Sequence, residues 1–285
     1  MIIVTGATGA LNGATVEHLL ELVPADQIGV SVRDVARAQH LAERGVRVRR
    51  GSYDDPAALL DSFEDAGQVL LVSSSDPGAD QVPMHRAGIQ AAVQAGASRI
   101  LYTSHQHAAL DSPFLPARVH AATEALLADS GVAWTALRNG FYAHSLDWML
   151  GPWRETGVIA APADGPVSWT DRADEAEAAA VILAGQRAYD GPVTLTASAM
   201  VTFAEVAAIA AGLTGRDIGR VVMADEEWVA AQVAGGSPEH MARFLLQFFH
   251  AAREGSFAEA TPLLGELLGR EPRTVRDLLA ERVAA

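Results

Sequence analysis

Several side chains stand at spacings suited to handling a proton beside a reacting oxygen. His120 and Glu124 lie four residues apart in a helical stretch, so they share one face, and Glu124 is placed to orient His120 or to stabilise its charged form. An ordinary i, i+4 surface pair is the plainer reading of the same spacing. Ser104 closes the run RILYTS and Tyr142 follows the run TALRNGF; with His120 they are the candidate hydrogen-bond donors to a substrate oxygen. His105 and His107 come directly after Ser104, and at i, i+2 on a continuing strand both would face one way. No third ligand stands near them, so substrate contact or solvent exposure is expected there and no metal. The chain has neither Cys nor Lys; all 21 of its basic residues are Arg. Thiol nucleophiles, disulfides and cysteine metal sites are excluded, and so are a lysine Schiff base and a lysine acid or base.

The other chemistry-bearing stretch is MIIVTGATGALNG at the start of the chain. The β-branched run Ile2-Ile3-Val4 leads into a glycine turn, and a helical pattern follows through Val16, Leu19 and Leu20. In a doubly wound sheet such a turn brings backbone N–H groups and the positive end of a helix against a pyrophosphate, because Gly6 and Gly9 place no Cβ in the way. The turn therefore predicts a dinucleotide site. A second strand over Gln27–Val32 ends in Arg33-Asp34, where such a fold meets the adenosine ribose. Arg33 would pair with a 2′-phosphate and favours NADP(H); Asp34 would suit NAD(H), or simply cap the next helix.

The elements that must position these groups alternate regularly. A helix over Ala36–Arg44, a third strand over Val46–Arg50 and a further helix after Pro56 lead to a fourth strand, Val69–Val72, which runs into Ser73-Ser74-Ser75. Small hydroxyls at the carboxyl end of a parallel strand either face the ligand crevice or make ordinary loop. Helices over Pro83–Gly96 and Pro116–Ser130 flank a fifth strand, Ser98–Thr103, and a sixth, Val132–Leu137, ends in Asn139-Gly140-Phe141-Tyr142. The expected fold is α/β: a Rossmann-type doubly wound parallel sheet over residues 1–145, with a smaller C-terminal α+β substrate region over 146–285. The late strand at 192–197 is expected in that region or back in the main sheet. Helices at Phe203–Leu213, Asp225–Val233 and Pro238–Arg253 follow. The last carries Phe244, Phe248 and Phe249, a stripe read as core, with a lid over an aromatic substrate as the alternative. Trp148, Trp153 and Trp169 admit the same two readings.

At 285 residues with 49% hydrophobic content the chain can bury a large core. A net charge of −14 works against binding nucleic-acid phosphate, and the one basic cluster, Arg47, Arg49 and Arg50, reads as a solvated strand face. No signal peptide and no run long enough to span a bilayer are visible, so a cytoplasmic protein is expected.

The segments VTGATGAL (4–11), VPADQI (23–28), VRD (32–34), Ser73–Ser75, YTS (102–104), HAATE (120–124), LRNGFY (137–142) and the C-terminal LLGREPRTVRDLLA together resemble the NmrA-like branch of the atypical short-chain dehydrogenases. Within it the chain is most similar to the quinone oxidoreductase type 2 and triphenylmethane reductase members. The resemblance covers essentially the whole chain. It implies that Gly6, Thr8, Gly9, Ala10 and Leu11 hold the pyrophosphate and Arg33 the 2′-phosphate. It places Ser73, Ser74, Ser75, Thr103, Ser104, Asn139, Gly140, Phe141 and Tyr142 along the nicotinamide half. Two positions depart from the family. Asn12 stands where relatives carry a third glycine, with Gly13 one place late, which implies a helix set slightly further from the pyrophosphate. Ser52 stands where many relatives have an acidic residue near the adenine.

Ordinary short-chain dehydrogenases use a Tyr-x-x-x-Lys pair; here His120 and Glu124 occupy the matching place. Hydride transfer needs mainly geometry, and a quinone or similar delocalised acceptor spreads the incoming charge over its own rings. The expected function is thus an NAD(P)H-dependent reductase of a quinonoid or polycyclic aromatic compound, with tailoring of an aromatic natural product, including oxygen-dependent hydroxylation, as a variant. The alternative class is a regulator that senses NAD(P) without turnover. The expected partner is a small aromatic or quinonoid molecule, with no nucleic acid or membrane, and a homodimer is compatible with the sequence.

Overall fold

The computed structural model describes residues 1–74, 79–185 and 187–284. The first half alternates strand and helix: β1 (Ile2–Thr5), α1 (Ala10–Leu22), β2 (Ile28–Val32), the single-turn α2 (Gln39–Ala42), β3 (Arg47–Arg50), α3 (Pro56–Ser62), β4 (Gln68–Leu71), α4 (Gln81–Gln94), β5 (Arg99–His105), α5 (Leu115–Ala128) and β6 (Ala133–Asn139). The chain then leaves the sheet through α6 (Leu146–Met149), α7 (Trp153–Thr156) and β7 (Val158–Pro162). It returns with α8 (Arg172–Ala184) and β8 (Gly191–Leu195) and leaves again through α9 (Phe203–Thr214), β9 (Gly219–Met223), α10 (Asp225–Ala234) and α11 (Glu239–Arg253). Helices α12 (Leu263–Leu268) and α13 (Val275–Ala284) end it.

Among the described residues one parallel sheet runs in the order β3-β2-β1-β4-β5-β6-β8, and β7 pairs with β9 in a second, two-stranded one. The order reverses between β1 and β4, which opens a crevice beyond the carboxyl ends of the strands. Helices α3, α4 and α5 cover one face over Ile3, Val69, Leu71, Ile100 and Tyr102. Helices α1, α8 and α12 cover the other over Ile2, Val4, Leu70, Leu101, Leu137 and Leu195. Because α8 lies on the face of α1 while β8 extends the sheet in the direction of β4, β5 and β6, this last crossover has the opposite hand to theirs. The long excursion between β6 and β8 frees it from the geometry of a short βαβ unit.

The late strand therefore stands in the main sheet, beside β6, so α8, β8 and α12 pack with the first half of the chain. The excursion segments build a separate apolar cluster around Trp153, Trp169, Phe203, Phe248, Phe249 and Phe257. The aromatic stripe of α11 is core: Phe248 stacks on Phe257 at 5.4 Å and meets Phe141 at 4.6 Å. Trp153 and Trp169 are buried with it, while Trp148 is half exposed. Two expectations need correction. The Ala36–Arg44 helix is a 3-10 turn over Val35–Ala38 followed by α2, because the Asp34 carboxylate accepts from Ala36 N at 3.0 Å and tightens the start. Strands β5 and β6 each run two residues further than the sequence pattern suggests, since they pair through Ser104↔Arg138 and His105↔Asn139. Among the described residues no helix is long and apolar enough to cross a membrane.

Candidate active site

The glycine turn opens a cleft of about 310 Å³ at the carboxyl ends of β1, β2 and β4, lined by Gly6, Thr8, Gly9, Arg33, Arg37, Ser52, Tyr53, Ser73 and Ser74 among others. Gly6 has φ +66°, and a Cβ there would lie 2.7 Å from Val72 Cγ1, so both backbone and space require glycine. Gly9 is the N-cap of α1 and supplies no side-chain cap, which leaves the first-turn N–H groups of Ala10 and Leu11 for an anion. Arg33 and Arg37, four residues apart in sequence, both edge the cleft, whereas Asp34 is engaged as the cap. The seat fits a dinucleotide with a 2′-phosphate: glycines for the diphosphate, two guanidiniums for the extra charge.

The displaced third glycine has a local answer. Asn12 turns inward, buried, and donates from Nδ2 to Thr5 O at 2.8 Å. Gly13 takes over the close approach, since a Cβ on it would stand 2.9 Å from Ala7 O. The expected outward setting of the helix is thus met by contact one residue later. Ser52 lines the cleft beside Tyr53, whose hydroxyl donates to Val72 O at 2.7 Å and which burial pushes up to about 12.

Beyond β4 the crevice is held by hydrogen bonds between strand ends. Ser73 N donates to Thr103 Oγ1 at 2.8 Å, and Ser74 N donates to His85 Nε2 at 2.8 Å. Ser75 lies outside the described residues. Asn139 and Gly140 are packed rather than open: Asn139 O accepts from Gln106 N at 2.8 Å, and a Cβ on Gly140 would meet Thr170 Oγ1 at 2.1 Å. Phe141 is buried between His105 and the aromatic core. Tyr142 keeps some exposure, receives Asn139 Nδ2 at 3.4 Å and stacks on His144 at 5.4 Å. Burial, then the neighbouring Glu175, raises its pKa. Glu175 itself sits buried in the first turn of α8 with its carboxyl pKa well above the ordinary range, burial first and Asp171 next.

The expected pairing of His120 with Glu124 does not occur. Glu124 is buried and accepts from Ser104 Oγ at 2.6 Å, from Arg138 Nε at 2.9 Å and from Arg138 Nη2 at 2.5 Å. Arg138, on β6, outcompetes a neutral imidazole for the carboxylate. Ser104 has one hydroxyl proton, and in this arrangement Glu124 receives it. His120 turns to Tyr102, whose hydroxyl lies 2.8 Å from its Nδ1, and its ring stacks near His105, centroids 6.1 Å apart and 27° from parallel. His120 remains partly exposed, and its Nε2 has no partner among the described residues and is not sealed in. His105 points Nδ1 at Gln106 O, 2.8 Å away. His107 does not join it: β5 stops at His105, and His107 takes φ +52° and is exposed. Among the described residues no group of three His, Cys, Asp or Glu side chains is placed to hold a metal.

Sequence reasoning missed Arg37, His85 and Tyr102. Arg37 stands at i+4 from Arg33; nothing in the run QVPMHRAGIQAAVQ sets His85 apart, and Tyr102 is visible only as part of RILYTS.

Burial lowers His85 and His105 from the ordinary 6.5 to about 4, and holds His120 well below its ordinary range. Between those values the unfolded chain takes up protons that the folded chain refuses, so stability falls as pH drops through the window. Urea unfolding is expected to give a clearly lower midpoint near pH ~5 than near pH ~7.5; equal midpoints would mean the imidazoles are as easily charged in the fold as outside it.

The model of the NmrA-like family matches residues 1–270. Quinone oxidoreductase 2 of Escherichia coli (strain K12) is 36% identical over 279 residues, 97% of this chain and 96% of that one. The structure of the Escherichia coli NADPH-dependent quinone oxidoreductase complexed with NADPH aligns with a TM-score of 0.92 at 34% identity, over 100% of both chains. The Citrobacter sp. triphenylmethane reductase complexed with NADP(H) aligns with a TM-score of 0.90 at 30% identity, over 99% of both.

Proposed function

We propose, on the premise that this chain belongs to the NmrA-like family, that it is an NAD(P)H-dependent oxidoreductase that binds NADP(H) in the cleft described above and reduces a small quinone or a related polycyclic aromatic compound. The observation that carries this reading is a dinucleotide-shaped seat with two guanidiniums at its ribose end, whose far edge at Ser74 is linked through His85 and Tyr102 to a neutral, partly exposed histidine. When bound, the reduced nicotinamide supplies a hydride.

The chain's own residues do the rest. Gly6, Thr8, Gly9 and the first turn of α1 hold the diphosphate, and Arg33 with Arg37 holds the 2′-phosphate. Ser73 and Thr103, bonded to one another, border the nicotinamide end. His120 donates a hydrogen bond to the acceptor oxygen as negative charge grows on it, a role that an uncharged imidazole fills when the acceptor delocalises charge itself. Phe114 and Phe141, packed around His105, form an apolar wall that keeps water from the acceptor. No feature among the described residues favours oxygen-dependent hydroxylation or natural-product tailoring.

The test is direct. The purified protein is mixed with NADPH and a panel of benzoquinones and naphthoquinones, and the reduced-cofactor absorbance is followed. Saturable, quinone-dependent oxidation is expected, with a rate flat through the ordinary histidine range near pH ~6.5 because His120 does not titrate there. Tight NADPH binding without turnover of any quinone would replace this reading with that of a dinucleotide sensor.

A further inference from the structure

We infer that Tyr102 and His85 are positioning residues: a chain of hydrogen bonds beginning at the backbone of the cofactor-side loop fixes the proton of His120 on Nε2, the nitrogen that has no partner among the described residues. The inference rests on the oxidoreductase reading above and goes beyond it in naming which nitrogen donates and what sets it.

The direction of every bond follows from its fixed end. The backbone N–H of Ser74 can only donate, and its partner 2.8 Å away is His85 Nε2, which must therefore carry a lone pair. A neutral His85 then has its proton on Nδ1. That proton faces Thr123 Oγ1 at 2.8 Å, with Tyr102 Oη further off at 3.4 Å. Thr123 can accept it because its own hydroxyl donates to Val119 O at 2.9 Å. Tyr102 thus meets a donor on its His85 side, Thr123 Oγ1 already accepts from His85, and the hydroxyl's near partner for its own proton is the lone pair of His120 Nδ1 at 2.8 Å. A neutral His120 accepting on Nδ1 holds its proton on Nε2. The alternative tautomer would set an Nδ1–H against the hydroxyl of Tyr102, whose proton would have to leave its 2.8 Å partner for Thr123 Oγ1, an oxygen that already accepts from His85 Nδ1. Tyr102 is wholly buried on β5 and His85 nearly so on α4, so water cannot substitute for either.

His105 gives the contrast. Its Nδ1 faces the carbonyl of Gln106, which only accepts, so its proton is on Nδ1 and its Nε2 is a bare acceptor. The two neighbouring imidazoles are thereby held in opposite tautomers, and His120 is the donor of the pair.

The experiment uses the full-length protein labelled with 15N-histidine, with His120 assigned by comparison with His120→Gln. In the unmutated protein His120 is expected to show a pyridine-like Nδ1 and a pyrrole-like Nε2; a pyrrole-like Nδ1 would overturn the inference by itself. Tyr102→Phe is expected to move both nitrogens toward averaged values and to lower kcat for a naphthoquinone about tenfold, less than the hundredfold or more typical of losing a catalytic donor, with KM for NADPH unchanged. A Tyr102→Phe protein that is merely less stable, with the tautomer and kcat intact, would also overturn it. Quinone turnover by a protein with the wrong tautomer would leave the proposed function standing and end only this inference.

Discussion

Arg138→Leu is expected to cost about 3–5 kcal/mol of stability, the range for removing one partner of a buried ion pair. The Glu124 side chain is 7% exposed and its oxygens accept from both Arg138 nitrogens and from Ser104. Without Arg138 the Ser104 hydroxyl is the remaining donor to a carboxylate that water barely reaches, and one hydrogen bond does not offset its desolvation. The double variant Arg138→Leu/Glu124→Gln removes the charge along with its partner and is expected to recover most of the loss. Denaturant unfolding of the two variants measures both effects; a single-variant loss below about 1 kcal/mol would show that the carboxylate finds solvent.

Arg33→Ala/Arg37→Ala is expected to raise KM for NADPH about a hundredfold while leaving KM for NADH within a few-fold. Two charge-assisted bonds to a phosphate are together worth about 3 kcal/mol or more, and the exposure of both guanidiniums keeps the effect at the lower end of that scale. Raising ionic strength should shrink the gap between the parent and the variant for NADPH alone. Equal losses for the two cofactors would place the arginines at the diphosphate or in the fold.

The fold was legible because each early strand is a short apolar run with a helix period behind it, from Ile2–Thr5 onward. Strands β7 and β9 escaped because they pair only with each other across a long sequence separation; Val221 and Val222 of β9 stay exposed, and β7, although it buries Ile159 and Ala161, is a short run that closes on Pro162. The glycine seat was legible for a different reason: Gly6 is demanded by its own backbone angle, a local property that residue type reports. The fate of Glu124 was not local. Helix spacing set it one turn from His120, but its partner Arg138 arrives from β6, and a charged guanidinium prevails over the nearer imidazole. His120 likewise finds its partner, Tyr102, on a strand beneath the helix.

The return of α8 and β8 to the first sheet bears on how the molecule can be divided. A fragment ending at residue 145 would leave the outer hydrogen-bonding groups of β6 bare, together with the apolar surface of Leu101 and Leu137 that α8 shares. An open parallel edge beside an uncovered apolar face invites self-association. The cofactor half is consequently no autonomous module to be truncated or transplanted. Its sheet is completed by β8 and α8, residues that the chain supplies only after the aromatic lobe has begun.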